Sequence, residues 1–274
     1  MKSRKFLIGV LKNLVAWLTS AIMIIPLLLI LINSLKDKYA SASMSIHLPK
    51  AYHFENYLIV IKDGKLVGSF FNSMFYAGTS MILCVMLSCM AAYVFSRNKT
   101  RLNKALYFFI IMGIAMPINY VSLTKVMQMT HLMNTMIGLA LLYTALQIPF
   151  SVFLVYGFIG TVPRDLDEAG IIDGCRPLRL FFSVILPLLK PVVVTVMVLN
   201  FMTSWNDFTM PLYYSNSASK WPMTLAVYNF FGQFESQWNL VSADIVLTSL
   251  PVIIIYLFGQ KYIISGMTAG SVKG

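Results

Sequence analysis

The chain has 274 residues, of which 58% are hydrophobic and only 11% charged, whereas soluble domains run nearer ~45–50% apolar and ~25% charged. A water-soluble fold of this size has no interior large enough for so much apolar surface, so the composition excludes an ordinary soluble enzyme and a disordered chain and points to a polytopic membrane protein without a large soluble domain. The net charge of +11 falls in clusters between apolar runs, which suits loops held against an anionic leaflet rather than a nucleic-acid surface.

A bilayer crossing takes about 20 mostly apolar residues, and the sequence predicts six in chain order. The first, about Leu14–Leu35, contains Pro26 and follows Lys2, Arg4, Lys5 and Lys12. It is too long for a signal-peptide core and no small-x-small cleavage site follows it, so a retained span is expected. The second is about Phe70–Phe95. The third, about Ala105–Val126, is broken by Pro117 and carries polar Asn119 and Tyr120. The fourth, about Met136–Gly160, has no charge at all. The fifth, about Phe182–Met202, begins with Pro187 and Pro191. The sixth, about Val241–Tyr262, contains Pro251, with Asp244 expected at its outer interface. Prolines inside spans are tolerated because neighbouring helices satisfy the freed backbone groups.

Lys/Arg bias sets the orientation. The N-terminus, the loop from Arg97 to Lys104, the segment from Arg164 to Lys190 and the C-terminal tail together carry 14 basic residues, against 7 on the opposite side. Both termini are therefore expected in the cytoplasm, with loops 36–69 and 203–240 facing outward. The expected division is a cytoplasmic N-terminus, 1–13, and a single transmembrane domain, 14–274, with its core at about 70–262.

The segment between the fourth and fifth spans reads as two short helices. Thr161 can cap the first and Pro163 suits a first turn. Asp165, Asp167 and Glu168 favour the positive end of its dipole. Gly174 ends it in a left-handed conformation, and Pro177 opens the second. Ala169, Gly170 and Cys175 are small enough to let another surface approach, and Leu166, Ile171, Ile172, Leu178, Phe181 and Phe182 supply apolar contacts. Chemistry alone leaves two readings: an amphipathic turn between spans, or a helix pair that docks a soluble partner.

Glu168-Ala-Gly-x-x-Asp173-Gly174, followed by Leu186-Pro187 and Pro191, resembles the EAA loop of ABC importer permeases. Asn72-Ser73 with Ala91-Ala92-Tyr93-x-x-x-Arg97 resembles that family's second span, and Trp205-Asn206-Asp207-Phe208-x-x-Pro211-Leu212 its fifth-span exit. The tail from Gln260 to Gly274 resembles the binding-protein-dependent carbohydrate, maltose-permease-like class. Gly170 and Cys175 stand where Ala is usual in the family; both are small.

The resemblance implies an all-α, polytopic membrane fold of six transmembrane helices with a cytoplasmic coupling-helix loop, 161–181. It implies the cytoplasmic membrane of a bacterium or archaeon, a second permease subunit, two ATPase subunits and an extracytoplasmic solute-binding protein that delivers a sugar. ATP and Mg are expected in the ATPase chains, in keeping with the lack here of a Gly-x-x-x-x-Gly-Lys-Ser/Thr phosphate loop. No cofactor, metal or nucleic acid is expected on this chain, and it is not expected to be an enzyme itself. Carried over, Glu168 is the charged anchor toward the ATPase, Ala169 and Gly170 permit close packing, and Gly174 shapes the bend. Asp173 either caps the second helix or is solvated.

Sugars call for hydrogen-bonding groups and aromatic faces. The candidates within spans are Asn119, Tyr120, Tyr143, Gln147, Asn200, Ser204 and Trp205, each of which also suits helix–helix hydrogen bonding or packing. Tyr213, Tyr214, Trp221 and Trp238 of the outer loop suit either the binding protein or an aromatic belt. Eighteen methionines are scattered through apolar runs, as flexible packing requires. An ABC permease for a sugar-phosphate or polyol is the alternative, and no basic ring in the spans favours an anion. A stand-alone secondary transporter would need coupling acids or an inverted repeat, and neither is found.

Overall fold

The structure is a computed structural model that describes residues 2–231 and 236–269. The end of the tail motif, 270–274, lies outside the described residues, as does 232–235 of the loop expected to face outward. The described residues are helical apart from turns and one isolated bridge between Phe231 and Ser236. The helices are α1 (Lys2–Asn33), α2 (Lys38–Ser41), α3 (Glu55–Asp63), α4 (Leu66–Arg97), α5 (Arg101–Met112), α6 (Tyr120–Met129), α7 (Met136–Ile159), α8 (Asp165–Ile172), α9 (Pro177–Leu180), α10 (Leu186–Leu188), α11 (Lys190–Asn206), α12 (Thr209–Tyr214), α13 (Met223–Ala226) and α14 (Trp238–Ala269).

Among the described residues, four stretches are long and apolar enough to cross a membrane as single helices: Gly9–Asn33, Leu66–Arg97, Met136–Ile159 and Trp238–Lys261. The expected fifth span is instead a bent pair. Pro177–Leu188, which includes a π-helical turn at Phe181–Ile185, meets Lys190–Asn206 at 81°. Pro187 and Pro191 each lack an N–H, and Leu189 closes the break by bonding back to the carbonyls of Ile185 and Leu186. The expected third span likewise comes as two helices, neither long enough alone. Gly113 ends α5 and Asn119 caps α6, its Oδ1 accepting from Ser122 N–H at 3.0 Å. Pro117 in between disfavours helical backbone at the residue before it.

The chain divides into two compact units. The first comprises Met1–Val67 and Ala226–Leu250, the second Gly68–Leu225 and Pro251–Gly274. In the first, a polar knot anchors the end of α1. Asn33 Nδ2 donates to the carbonyl of Ser45 (3.0 Å), and Lys36 Nζ donates to Asn33 Oδ1 (3.0 Å) and to the Ser45 carbonyl (2.6 Å) and hydroxyl (3.0 Å). Asn56 Nδ2 bridges the carbonyls of Ser34 and Lys36, and its Oδ1 accepts from Asn239 Nδ2 at 2.9 Å. Lys36 is 2% exposed, and burial lowers its pKa. Asp37 Oδ1 caps α2 by accepting from the N–H groups of Tyr39 and Ala40, which holds its own pKa down. Asp244 is buried on α14 beside buried Leu240, Val241, Ser242 and Ala243.

In the second unit α7 is the central element, packed against α5, α11 and α12. One apolar cluster gathers Val85, Cys89 and Ala92 of α4 with Val152, Val155 and Ile159 of α7 and with Phe181 and Ile185. Another joins Tyr76, Leu139, Tyr143, Met210 and Tyr214. Pro149 inside α7 lies against Gly113, where a Cβ would stand 2.9 Å from the Pro149 ring.

Candidate coupling loop and solute cavity

The segment 161–181 folds as two short helices with an exposed tip. α8 opens at Asp165, with Asp165, Asp167 and Glu168 in its first turn, as the dipole favours. Thr161 does not cap it: its hydroxyl donates to the carbonyl of Phe158 at the end of α7, and Arg164 takes the cap position without a side-chain bond. Gly174 has φ +75° and ends the helix in the left-handed region. Pro177 opens α9 as expected, but Asp173 does not cap it; Asp173 is exposed and ends α8.

Glu168 and Ala169 are exposed, as are Leu166, Ile171, Ile172 and Leu178, with Ile172 85% open. Gly170 faces the other way. It is buried, and a Cβ there would come within 2.4 Å of Leu180 Cδ1, so its small size serves packing of α8 on α9 within the chain. Phe181 is buried in the core rather than available at the surface, while Phe182 stays 39% exposed.

The loop is bolted to the end of α4. Asp167, 8% exposed, accepts from the Tyr93 hydroxyl at 2.6 Å through Oδ1, and Arg97 Nη2 lies 2.8 Å from its Oδ2. Arg97 also donates to the carbonyl of Val162 (3.2 Å), and Arg164 donates to the carbonyl of Ser96 (3.4 Å). The sequence presents Asp167 as a dipole partner and Arg97 as a basic loop residue that closes the second-span motif, with no link between them. The signal that finds the pair is Tyr93 and Arg97 at i, i+4, which puts both on one face of α4.

The solute-path candidates separate into four groups. Tyr143 and Gln147 of α7 line a cavity of about 370 Å³ together with Thr203, Asn206 and Asp207 at the end of α11. Behind it runs a buried polar chain: Gln147 Nε2 donates to Ser204 Oγ at 2.6 Å, Ser204 lies 3.0 Å from Ser80 Oγ, and Asn200 pairs with Ser151 at 3.2 Å. Cys84 Sγ joins it by donating to Ser151 Oγ. Ser204 and Asn200 thus hold helices together, as polar groups in a bundle do. Trp205 is 1% exposed, stacks on Phe201 and is not among the residues lining this cavity. Asn119 is occupied as the α6 cap, and Tyr120 packs on Tyr213 with ring centres 5.2 Å apart. Asp207, Asn206 and Thr203 were not among the sequence candidates, although Asn206 and Asp207 stand in the fifth-span motif. Of the outer-loop aromatics, Tyr214 is core while Tyr213 is exposed.

Set against known proteins, residues 84–269 match the family described as binding-protein-dependent transport system inner membrane component. The chain belongs to that family. The similarity runs the length of its relatives: the melibiose/raffinose/stachyose import permease of Bacillus subtilis is 33% identical over 96% of both chains. The probable starch degradation products permease of Thermoanaerobacterium thermosulfurigenes is 32% identical over 93% of both. A solved bacterial ABC transporter involved in import of the acidic polysaccharide alginate has a chain of the same fold, with a TM-score of 0.83 at 20% identity over 93% of this chain and 96% of that one. This inner membrane component is accordingly a multi-pass, helical transport protein, and its apolar helices are spans.

Proposed function

We propose that the chain is the permease subunit of an ATP-driven importer and carries a sugar or oligosaccharide handed over by a solute-binding protein. The observation behind this reading is the end-to-end similarity to permeases whose names specify oligosaccharide import. In it the six crossings are α1, α4, the broken α5–α6 pair, α7, the bent pair ending in α11, and α14. Both termini lie in the cytoplasm, as the basic bias requires. α8 is the coupling helix. Its exposed Glu168 and Ala169, with Ile171, Ile172 and Leu178, form a polar and apolar knob that seats on an ATPase subunit. A second permease completes the path, and ATP-driven closure of two ATPases rocks the permease cores.

The test is uptake. Cells lacking this chain are assayed with radiolabelled raffinose, maltotriose and chitobiose beside an amino acid and a dipeptide. Loss of uptake confined to a sugar supports the reading, and loss confined to the amino acid or peptide contradicts it.

A further inference from the structure

The cavity beside α7 is lined for acceptance. Asp207 Oδ2 accepts from the Tyr143 hydroxyl (2.9 Å) and the Met210 N–H (3.0 Å), and Oδ1 accepts from the Thr209 N–H (3.2 Å). All three donors are neutral, which suits an ionised carboxylate. No Lys or Arg is among the residues that line this cavity. Gln147 is 7% exposed, spends its Nε2 on Ser204 and leaves Oε1 without a hydrogen-bond partner among the described residues. Gln147 is among the residues lining the cavity, and this unpaired acceptor is one that a water or a solute donor there can satisfy. The volume, about 370 Å³, falls within the range of small-molecule sites.

These groups ask for O–H or N–H donors and carry negative charge. A glycan hydroxyl or an ammonium group can donate to both the carboxylate and Oε1. A carboxylate, sulfate or phosphate has no proton to give and meets a like charge. Resting on the sugar-import reading above, we infer that this cavity is a solute-contact site on this chain, accepting uncharged and amino-bearing sugars and turning anionic ones away. Gln147 and Asp207 are its contact groups, and Tyr143 holds the Asp207 carboxylate in place.

The test uses the transporter assembled with its partner subunits in lipid nanodiscs. Maltotriose (neutral), chitotriose (cationic) and trigalacturonate (anionic) are each titrated against intrinsic tryptophan fluorescence. Chitotriose and maltotriose are expected to bind, with trigalacturonate weaker by about tenfold or more. Asp207→Asn removes the charge, keeps an acceptor for the Tyr143 hydroxyl and the Met210 N–H while giving up the one for the Thr209 N–H, and is expected to narrow that gap. Gln147→Leu is expected to weaken maltotriose roughly fivefold. Failure of both maltotriose and chitotriose to bind, equal binding of trigalacturonate, or an unchanged ranking in Asp207→Asn each overturns the proposal. Uptake separates this from the reading it rests on. Sugar import with an unchanged KM in both variants removes the site and leaves the import function standing, whereas a chain that imports no sugar removes the import function itself.

Discussion

Arg97 Nη2 lies 2.8 Å from Asp167 Oδ2, and each side chain is little exposed, at 13% and 12%. The pair ties the last turn of α4 to the first turn of α8, and the Tyr93 hydroxyl on the other carboxylate oxygen doubles the tie. In the proposed coupling role α8 has to move as one body with the bundle, and this contact ties the two together.

Breaking the pair is therefore expected to cost both stability and coupling. Asp167→Asn is expected to lose about 2–3 kcal/mol, because Arg97 keeps its charge in a partly dry site. Thermal unfolding in detergent measures the first effect, and sugar delivered per ATP hydrolysed measures the second. The swap Arg97→Asp with Asp167→Arg is expected to recover part of both, and a swap no better than either single variant would show that charge pairing is not what the contact supplies.

Gly170 and Gly174 have different reasons to be glycine, and substitution distinguishes them. Gly170→Ala drives a methyl to within 2.4 Å of Leu180 and is expected to destabilise by about 1–3 kcal/mol through overpacking. Leu180→Ala should relieve it. At Gly174 there is open space around the added Cβ, but φ is +75°, so Gly174→Ala is expected to cost about 1–2 kcal/mol through backbone strain alone. Gly174→Asn should cost less. Unfolding midpoints of the four variants decide the matter.

Lys36 gives a pH dependence whose sign is set by burial. Its folded pKa lies below 10.5, so between the folded pKa and 10.5 the unfolded chain binds more protons and stability rises with pH. Below the folded pKa the cost of burying the charge is fully present. The difference in unfolding midpoint between the wild type and Lys36→Gln, followed from pH 7 to 10.5, is expected to shift in favour of the wild type as pH rises. A difference that shifts the other way would contradict the assignment.

Much of this arrangement is legible in the sequence because the local chemistry is strong. The uncharged run of α7, the acids at the start of α8, the left-handed Gly174 and Pro177 at the start of α9 all read directly, since each depends on neighbours in the chain. Pro117 interrupts the third span as expected, whereas Pro187 and Pro191, read as the start of an intact fifth span, sit at an 81° bend that depends on packing no local pattern encodes. Asp167 and Asp207 were passed over for the same reason. Their partners lie 70 and 64 residues away at Arg97 and Tyr143, and neither acid announces a long-range partner. Gly170 is legible as a small residue, but the neighbour its size admits, Leu180, is not.

The central claim is that α8 seats this chain on an ATPase, and mild-detergent purification of the tagged chain with mass spectrometry of what accompanies it tests that most directly. Glu168→Lys, an exposed substitution, serves as the paired sample. The wild type is expected to bring down an ATPase and a second permease in stoichiometric amounts. The variant is expected to insert in the membrane normally and to lose most of the ATPase or its sugar-stimulated hydrolysis. A wild-type chain recovered alone or only with itself, or a Glu168→Lys variant that keeps full ATPase content and full coupling, would contradict the account.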